Sequence, residues 1–173
     1  NGIYSGNARV SVIPKDSSCS RDVFAVEFLS NNDIRIVNSQ IDDRGNLYSY
    51  GTTTSNGIKS ALLIKTNSKG QLVWARKYKG LENFGYGAMS SDENGVALEG
   101  RQNGDATVAR IDSNGNPLWI KAYSTSTERY YYGIANSDNG SYIIGGMGTG
   151  IGGDDLFVLK IQDSDGSILW DYR

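Results

Sequence analysis

Gly70-Gln71-Leu72-Val73-Trp74, Gly115-Asn116-Pro117-Leu118-Trp119 and Gly166-Ser167-Ile168-Leu169-Trp170 each place a glycine four residues before a tryptophan. The chain has 3 tryptophans, and all occupy this slot. Chance rarely arranges that, whereas repetition of one structural unit does so directly. A second set runs alongside: Asp43-Arg44-Gly45-Asn46-Leu47-Tyr48, Glu93-Asn94-Gly95-Val96-Ala97-Leu98 and Asp138-Asn139-Gly140-Ser141-Tyr142-Ile143. From Trp74 to Gly95 and from Trp119 to Gly140 the distance is 21 residues, while the glycine-to-tryptophan distances are 29, 24 and 30. One half of the unit therefore has fixed length, and the other half absorbs insertions.

Within the unit the apolar runs are short and rich in β-branched and aromatic residues. Leu47–Gly51, Ala61–Thr66 and Leu72–Tyr78 read as strands, and Tyr86–Ser90 and Tyr132–Asn136 as a fourth strand after the tryptophan strand. Asn67-Ser68-Lys69-Gly70, Asp112-Ser113-Asn114-Gly115 and Asp163-Ser164-Asp165-Gly166 are turns, because Asx side chains bond the following backbone and glycine takes positive φ. No helical period is sustained anywhere. Four short strands per repeat predict an all-β, β-propeller-like fold of about four four-stranded antiparallel blades. The chain reads as a single domain over 1–173, with approximate blades 1–40, 41–91, 92–137 and 138–173. The first blade is irregular. Ile34–Ser39 fills its fourth-strand slot, and Ile3–Ser5, Arg9–Ile13 and Val23–Leu29 supply earlier strands. The last blade is incomplete, because the sequence stops after its tryptophan strand.

The Gly-x-x-x-Trp signature, preceded by an acid, resembles the quinoprotein-like β-propeller repeat. It is also similar to propeller repeats of secreted bacterial and archaeal proteins. Lys65, Arg110 and Lys160 match the basic residue of the middle strand of those repeats, and Asp112 matches the acid that follows. Asn67 and Gln162 depart from it. The resemblance covers roughly 41–173. It implies that Trp74, Trp119 and Trp170 dock neighbouring blades, and it says little about activity, since propellers host many functions.

Composition narrows the function classes. The chain has 173 residues with 22 glycines, 2 prolines, 38% hydrophobic residues and net charge −2, which can bury a core and lacks the basic balance of a nucleic-acid binder. With His at 0, histidine-based acid–base chemistry, triads and metal sites are excluded. The 1 cysteine, Cys19, excludes an internal disulfide and sits in the linker-like Pro14-to-Ser20 stretch. No run of apolar residues is long enough for a membrane span. The opening at Asn1, without Met or leader, reads as a processed chain or a piece of a longer one. The Ser/Thr/Asn/Gly-rich surface leans towards an extracellular or cell-surface location, and Asn139-Gly140-Ser141 is the sequon.

Candidate chemistry is sparse. The Asp112 and Asp163 turns alternate oxygen-bearing residues as calcium loops do, but lack the bidentate Glu that completes an EF-hand, and they read as turns. Gly150-Ile151-Gly152-Gly153-Asp154-Asp155 reads as a more open loop, so Asp154 and Asp155 are the candidate metal ligands, with calcium the ion; no other cofactor is expected. Tyr130 and Tyr131, beside Glu128, Arg129 and Tyr132, are the candidate ligand platform for protein or carbohydrate, because a tyrosine offers a flat apolar face with a polar tip. Lys59, Lys65, Lys69, Arg76, Lys77 and Lys79 form an acid-free run that reads as solvated surface.

The expected function is an extracellular, non-catalytic binding or structural-assembly module whose partners are other protein chains, copies of itself among them. The alternative is a fragment of a larger quinoprotein-type propeller oxidoreductase. Two structural expectations follow. The tryptophans should occupy equivalent, largely buried positions. The edge at Ser167–Arg173 should pair with another chain or further sequence, unless Ile3–Ile13 or Ile34–Ser39 closes on it internally.

Overall fold

A computed structural model describes residues 7–11, 25–29, 33–81, 84–102, 105–123, 129–138, 141–150 and 153–172. The expectations for Ile3–Ser5, Cys19 and the Asn139-Gly140 sequon lie outside them. The described chain is all-β and antiparallel. β1 (Asn7–Ser11) and β2 (Ala25–Leu29) form a two-stranded pair. The first four-stranded sheet is β3 (Asp33–Ile41), β4 (Leu47–Ser55), β5 (Ile58–Thr66) and β6 (Leu72–Tyr78). The second is β7 (Phe84–Asp92), β8 (Gly95–Gln102), β9 (Asp105–Asp112) and β10 (Pro117–Ala122). The third is β11 (Arg129–Ser137), β12 (Ser141–Gly150), β13 (Gly153–Gln162) and β14 (Ile168–Tyr172). In each sheet the strands lie side by side in chain order.

This partition corrects the blade boundaries read from sequence. The strand after each tryptophan strand opens the next sheet and does not complete the previous one. Ile34–Ser39, Tyr86–Ser90 and Tyr132–Asn136 fall in the first strands β3, β7 and β11. The pairing shows it directly. β3 pairs with β4, β7 with β8 and β11 with β12, and neither β7 nor β11 pairs with the tryptophan strand that precedes it. The last sheet is consequently complete, with β14 as its fourth strand and outer edge, as β6 and β10 are in theirs. Among the described residues β14 pairs only with β13: β1 belongs to the two-stranded pair and β3 to the first sheet, while the rest of Ile3–Ile13 lies outside them.

The turns show why these strands end where they do. Asp42 Oδ1 accepts hydrogen bonds from the Arg44 and Asn46 amides at 3.0 and 2.8 Å. Asn67 Oδ1 accepts from Lys69 and Gln71, and Asp112 Oδ1 from Asn114 and Asn116. The same five-residue turn recurs, with Asx first, glycine fourth and an amide side chain fifth. Gly45, Gly70 and Gly115 have φ of 78°, 75° and 81°, a left-handed conformation that costs a glycine little. The third sheet has one extra residue here, so Gly166 donates to Gln162 O.

Bulges repeat as well. Lys65 lies opposite Trp74, Arg110 opposite Trp119 and Lys160 opposite Trp170, and in every case the register slips by one residue just before the tryptophan. The extra residue is Val73, Leu118 or Leu169, and such a bulge re-aims the side chain that follows it. The three sheets are thus built to one register, which gives every position in one a counterpart in the others.

Two apolar clusters join the sheets face to face. Tyr48, Tyr50, Ala61, Leu63 and Tyr78 of the first sheet meet Met89, Val96, Leu98, Ala109 and Ile111 of the second, with Leu81 from the link between them. Ala97, Ala106 and Val108 of the second meet Ile134, Tyr142, Phe157, Leu159 and Ile161 of the third, together with Tyr123. The second sheet is covered on both sides, and β9 is buried along nearly all its length. The first strands lie closest together, with β7 touching both β3 and β11.

Candidate functional site

The chemistry-bearing residues of the repeat gather where one sheet docks on the next. At the first junction the Trp74 indole Nε1 donates to the Ser113 carbonyl at 3.0 Å, and Lys65 Nζ donates to the same oxygen at 3.2 Å. Arg76 Nη1 donates to Gly115 O at 3.0 Å and to Asn116 Oδ1 at 2.7 Å, and the Tyr78 hydroxyl donates to Gly115 O at 2.8 Å. The β9–β10 turn is thus held by four side chains from the preceding sheet. The Trp74 ring also meets Tyr48 edge-on, with centroids 6.0 Å apart.

The second junction repeats the first. Trp119 Nε1 donates to Asp163 O at 2.7 Å, and the Tyr123 hydroxyl donates to Gly166 O at 2.7 Å. Arg110 replaces Lys65. Its Nε donates to Asp163 Oδ1 at 2.7 Å and its Nη2 to both Asp92 carboxylate oxygens at 3.0 and 3.1 Å. A guanidinium suits this place because its planar fork reaches an acid of its own sheet and an acid of the next together. Burial opposes the Arg110 charge, but Tyr142, Asp92 and Asp163 outweigh it and raise its pKa, so the side chain remains a cation. Lys65 makes no ion pair with a carboxylate among the described residues; burial lowers its pKa, and Asp42 offsets this only in part.

The turn glycines are the seats of these contacts. A Cβ on Gly166 would lie 2.9 Å from Trp119 Cζ3 and 2.9 Å from the Tyr123 hydroxyl, and one on Gly115 2.8 Å from Arg76 Cδ and 3.3 Å from Trp74 Cη2. Glycine is required there twice over, for the positive φ and for the ring lying against it.

Among the described residues, no sheet lies upon the same face of the third sheet. Leu156 and Val158 are 75% and 38% exposed, whereas their counterparts Ala61, Ala106, Leu63 and Val108 are at most 1% exposed. Lys160 Nζ donates to Asp138 Oδ1 at 2.6 Å, as Arg110 does to Asp92, but meets no acid of a further sheet among the described residues. Trp170 leans on Tyr172 with centroids 5.1 Å apart, and its indole N–H has no acceptor among the described residues. Leu169 and Ile168, each 50% exposed, extend the apolar surface along β14.

The sequence-derived candidates fare unevenly. Trp74, Trp119 and Trp170 occupy equivalent positions on the edge strands β6, β10 and β14, and each is buried over most of its surface without being fully enclosed. Asp154 and Asp155 are not in an open loop. They pair with Thr149 and Gly148 at consecutive positions of the β12–β13 ladder, since glycines extend that hairpin instead of interrupting it. Tyr130 and Tyr131 lie on β11 opposite Met147 and Gly146, and their side chains fall outside the described residues. The Asp112 carboxylate caps its own turn: Asn116 Nδ2 adds a hydrogen bond to Oδ2 at 2.9 Å. Burial acts to raise the Asp112 pKa, but the hydrogen bonds from Asn116 and Asn114 outweigh it and lower the pKa. The basic run is divided, with Lys59, Lys69 and Lys79 exposed while Lys65 and Arg76 dock the second sheet.

Sequence reasoning missed Lys65, Arg76, Arg110, Tyr78 and Tyr123 as docking residues. A signal existed for Tyr78 and Tyr123, each four residues after a tryptophan, and for Lys65, Arg110 and Lys160 at matching places in the repeat. Among the described residues no helix is long and apolar enough to cross a membrane. No protein-family model matches this chain, and no curated protein sequence matches it significantly.

Proposed function

We propose that the chain is a non-catalytic binding or structural-assembly module, acting outside the cell or at its surface, whose sheets are blades of a propeller-like array. The observation that carries this reading is the twice-repeated dock. Lys65, Arg76, Arg110, two tryptophan indoles and two tyrosine hydroxyls all spend their polar groups on turns of the neighbouring sheet. A side chain committed to a structural carbonyl or carboxylate is not poised to move a proton or hold a substrate. Stacking along the first strands β3, β7 and β11 supports the propeller-like arrangement, in which sheets diverge outward from adjoining inner strands. Partners are other protein chains, and Tyr130 and Tyr131 are the candidate contacts for a protein or carbohydrate ligand.

Absorbance and dye-linked alcohol oxidation, measured after adding pyrroloquinoline quinone and calcium to the purified chain, test the reading. The expected result is no bound-quinone band and no turnover. A stoichiometric band with turnover would replace the module by the oxidoreductase reading.

A further inference from the structure

We infer that the outer face of the third sheet is a docking surface for a further four-stranded sheet of this same repeat, entered turn-first. The inference deepens the assembly reading and rests on it. The register equivalence singles out the occupant. Leu156, Val158, Lys160 and Trp170 hold the positions that Ala106, Val108, Arg110 and Trp119 hold in the second sheet. Those residues are covered by the third sheet, through the Asp163–Gly166 turn. The equivalent face of the first sheet is covered in the same way by the second, through the Ser113–Gly115 turn. Both covered examples of this face therefore take one kind of partner.

The chemistry of that partner follows from what the face lacks. The Trp170 indole N–H needs a main-chain carbonyl, which Ser113 and Asp163 supply at the other junctions. The flat side of its ring needs a glycine held at positive φ, as Gly115 and Gly166 are at 81° and 69°. Lys160, already on Asp138 of its own sheet, has room for a second acceptor where Arg110 takes Asp163. Leu156 and Val158 need an apolar strand face like that of Phe157, Leu159 and Ile161, which covers Ala106 and Val108. A β-sheet carrying an acidic residue, a carbonyl and a left-handed glycine in one turn meets all four demands. A generic apolar peptide meets only the last.

The test supplies such a sheet in register. Arg173 stands three residues after Trp170, as Ala122 does after Trp119. A second copy of residues 123–173 appended directly after Arg173 therefore reproduces the spacing by which the third sheet follows the second. Hydrogen exchange of the indole N–H groups, followed by NMR, is the readout. Trp170 exchange should slow from the open rate to that of Trp119, and alanine at the appended counterpart of Gly166 should restore the open rate. Unchanged Trp170 exchange, with Trp74 and Trp119 still protected, would overturn the inference. Loss of Trp74 and Trp119 protection would overturn it too, because the appended sheet would then not fit in register. Sedimentation of the unextended chain gives the remaining arm. Self-association that is abolished by Leu156→Asp but leaves Trp170 exchange at the open rate would overturn the assignment, because the face would then be covered with no turn docked on Trp170. None of these outcomes depends on the quinone assay, so the two readings fail separately.

Discussion

Gly166→Ala, compared with Gly57→Ala, isolates the energy of docking from the energy of backbone conformation. Both glycines are left-handed, with φ of 69° and 75°. A Cβ on Gly57 meets nothing within 4 Å, while one on Gly166 lands 2.9 Å from the Trp119 ring and from the Tyr123 hydroxyl. An L-residue in the left-handed region costs roughly 1–2 kcal/mol, and both variants bear that cost. Gly166→Ala must also displace a ring held by its own indole hydrogen bond, and forced overpacking adds about 1–3 kcal/mol. The expected losses are therefore about 1 kcal/mol for Gly57→Ala and about 3 kcal/mol for Gly166→Ala. At roughly 2–4 °C per kcal/mol for a chain of this size, the melting temperatures should fall by about 3 °C and about 9 °C. Urea unfolding followed by tryptophan fluorescence measures both, with wild-type m-values confirming that the unfolded states match. Equal losses in the two variants would refute the assignment of Gly166 as a seat for Trp119.

Arg110→Met should cost roughly 2–4 kcal/mol, below the fully buried limit because Asp92 and Asp163 keep some water, with Arg110→Lys recovering part of it in the same urea assay. Lys160→Met, at the uncovered counterpart, should cost under about 1 kcal/mol. Burial raises the Tyr48 pKa to about 12, with Asp42 and Asp92 adding to it, and burial also raises those of Tyr78 and Tyr142. Their hydroxyls ionise first in the unfolded chain, near pH 10, so stability should hold below about pH 10 and fall above it. Tyrosinate absorbance should rise together with loss of near-ultraviolet circular dichroism, and the two curves should separate if these rings are open to water. The lowered Asp112 pKa works in the opposite sense. It contributes stability above the unfolded value of about 4 that is lost as pH falls further, and Asp112→Asn should flatten that acid limb of the unfolding curve.

Much of the fold was legible in the sequence because its signals are local. Leu72–Tyr78 coincides with β6, and the Gly-to-Trp spacing located three equivalent strand ends. Thr52–Ser55, polar and threonine-rich, extends β4 beyond the apolar run from which it was read. What was not legible depends on where a repeat begins. A periodic sequence looks the same whichever strand is counted first, so Ile34–Ser39 reads equally well as the last strand of one sheet or the first of the next, and its pairing with β4 decides between them. The site was obscured for a different reason. Lys65 and Arg76 look like solvated charges until the turn that accepts their hydrogen bonds is folded against them, 48 and 39 residues away. Gly150 and Gly153 look like loop residues, although a hairpin ladder accepts glycine wherever its partner strand is present.

The central claim is that the tryptophans of the first and second sheets each dock on a turn of the sheet that follows, and that Trp170 of the third does not. Indole N–H exchange of the unmodified chain, resolved by NMR for all three tryptophans, tests it most directly. Trp74 and Trp119, bonded to Ser113 O and Asp163 O, should exchange slowly, and Trp170 should exchange at the open rate. Three equal rates, or a protected Trp170, would contradict the account.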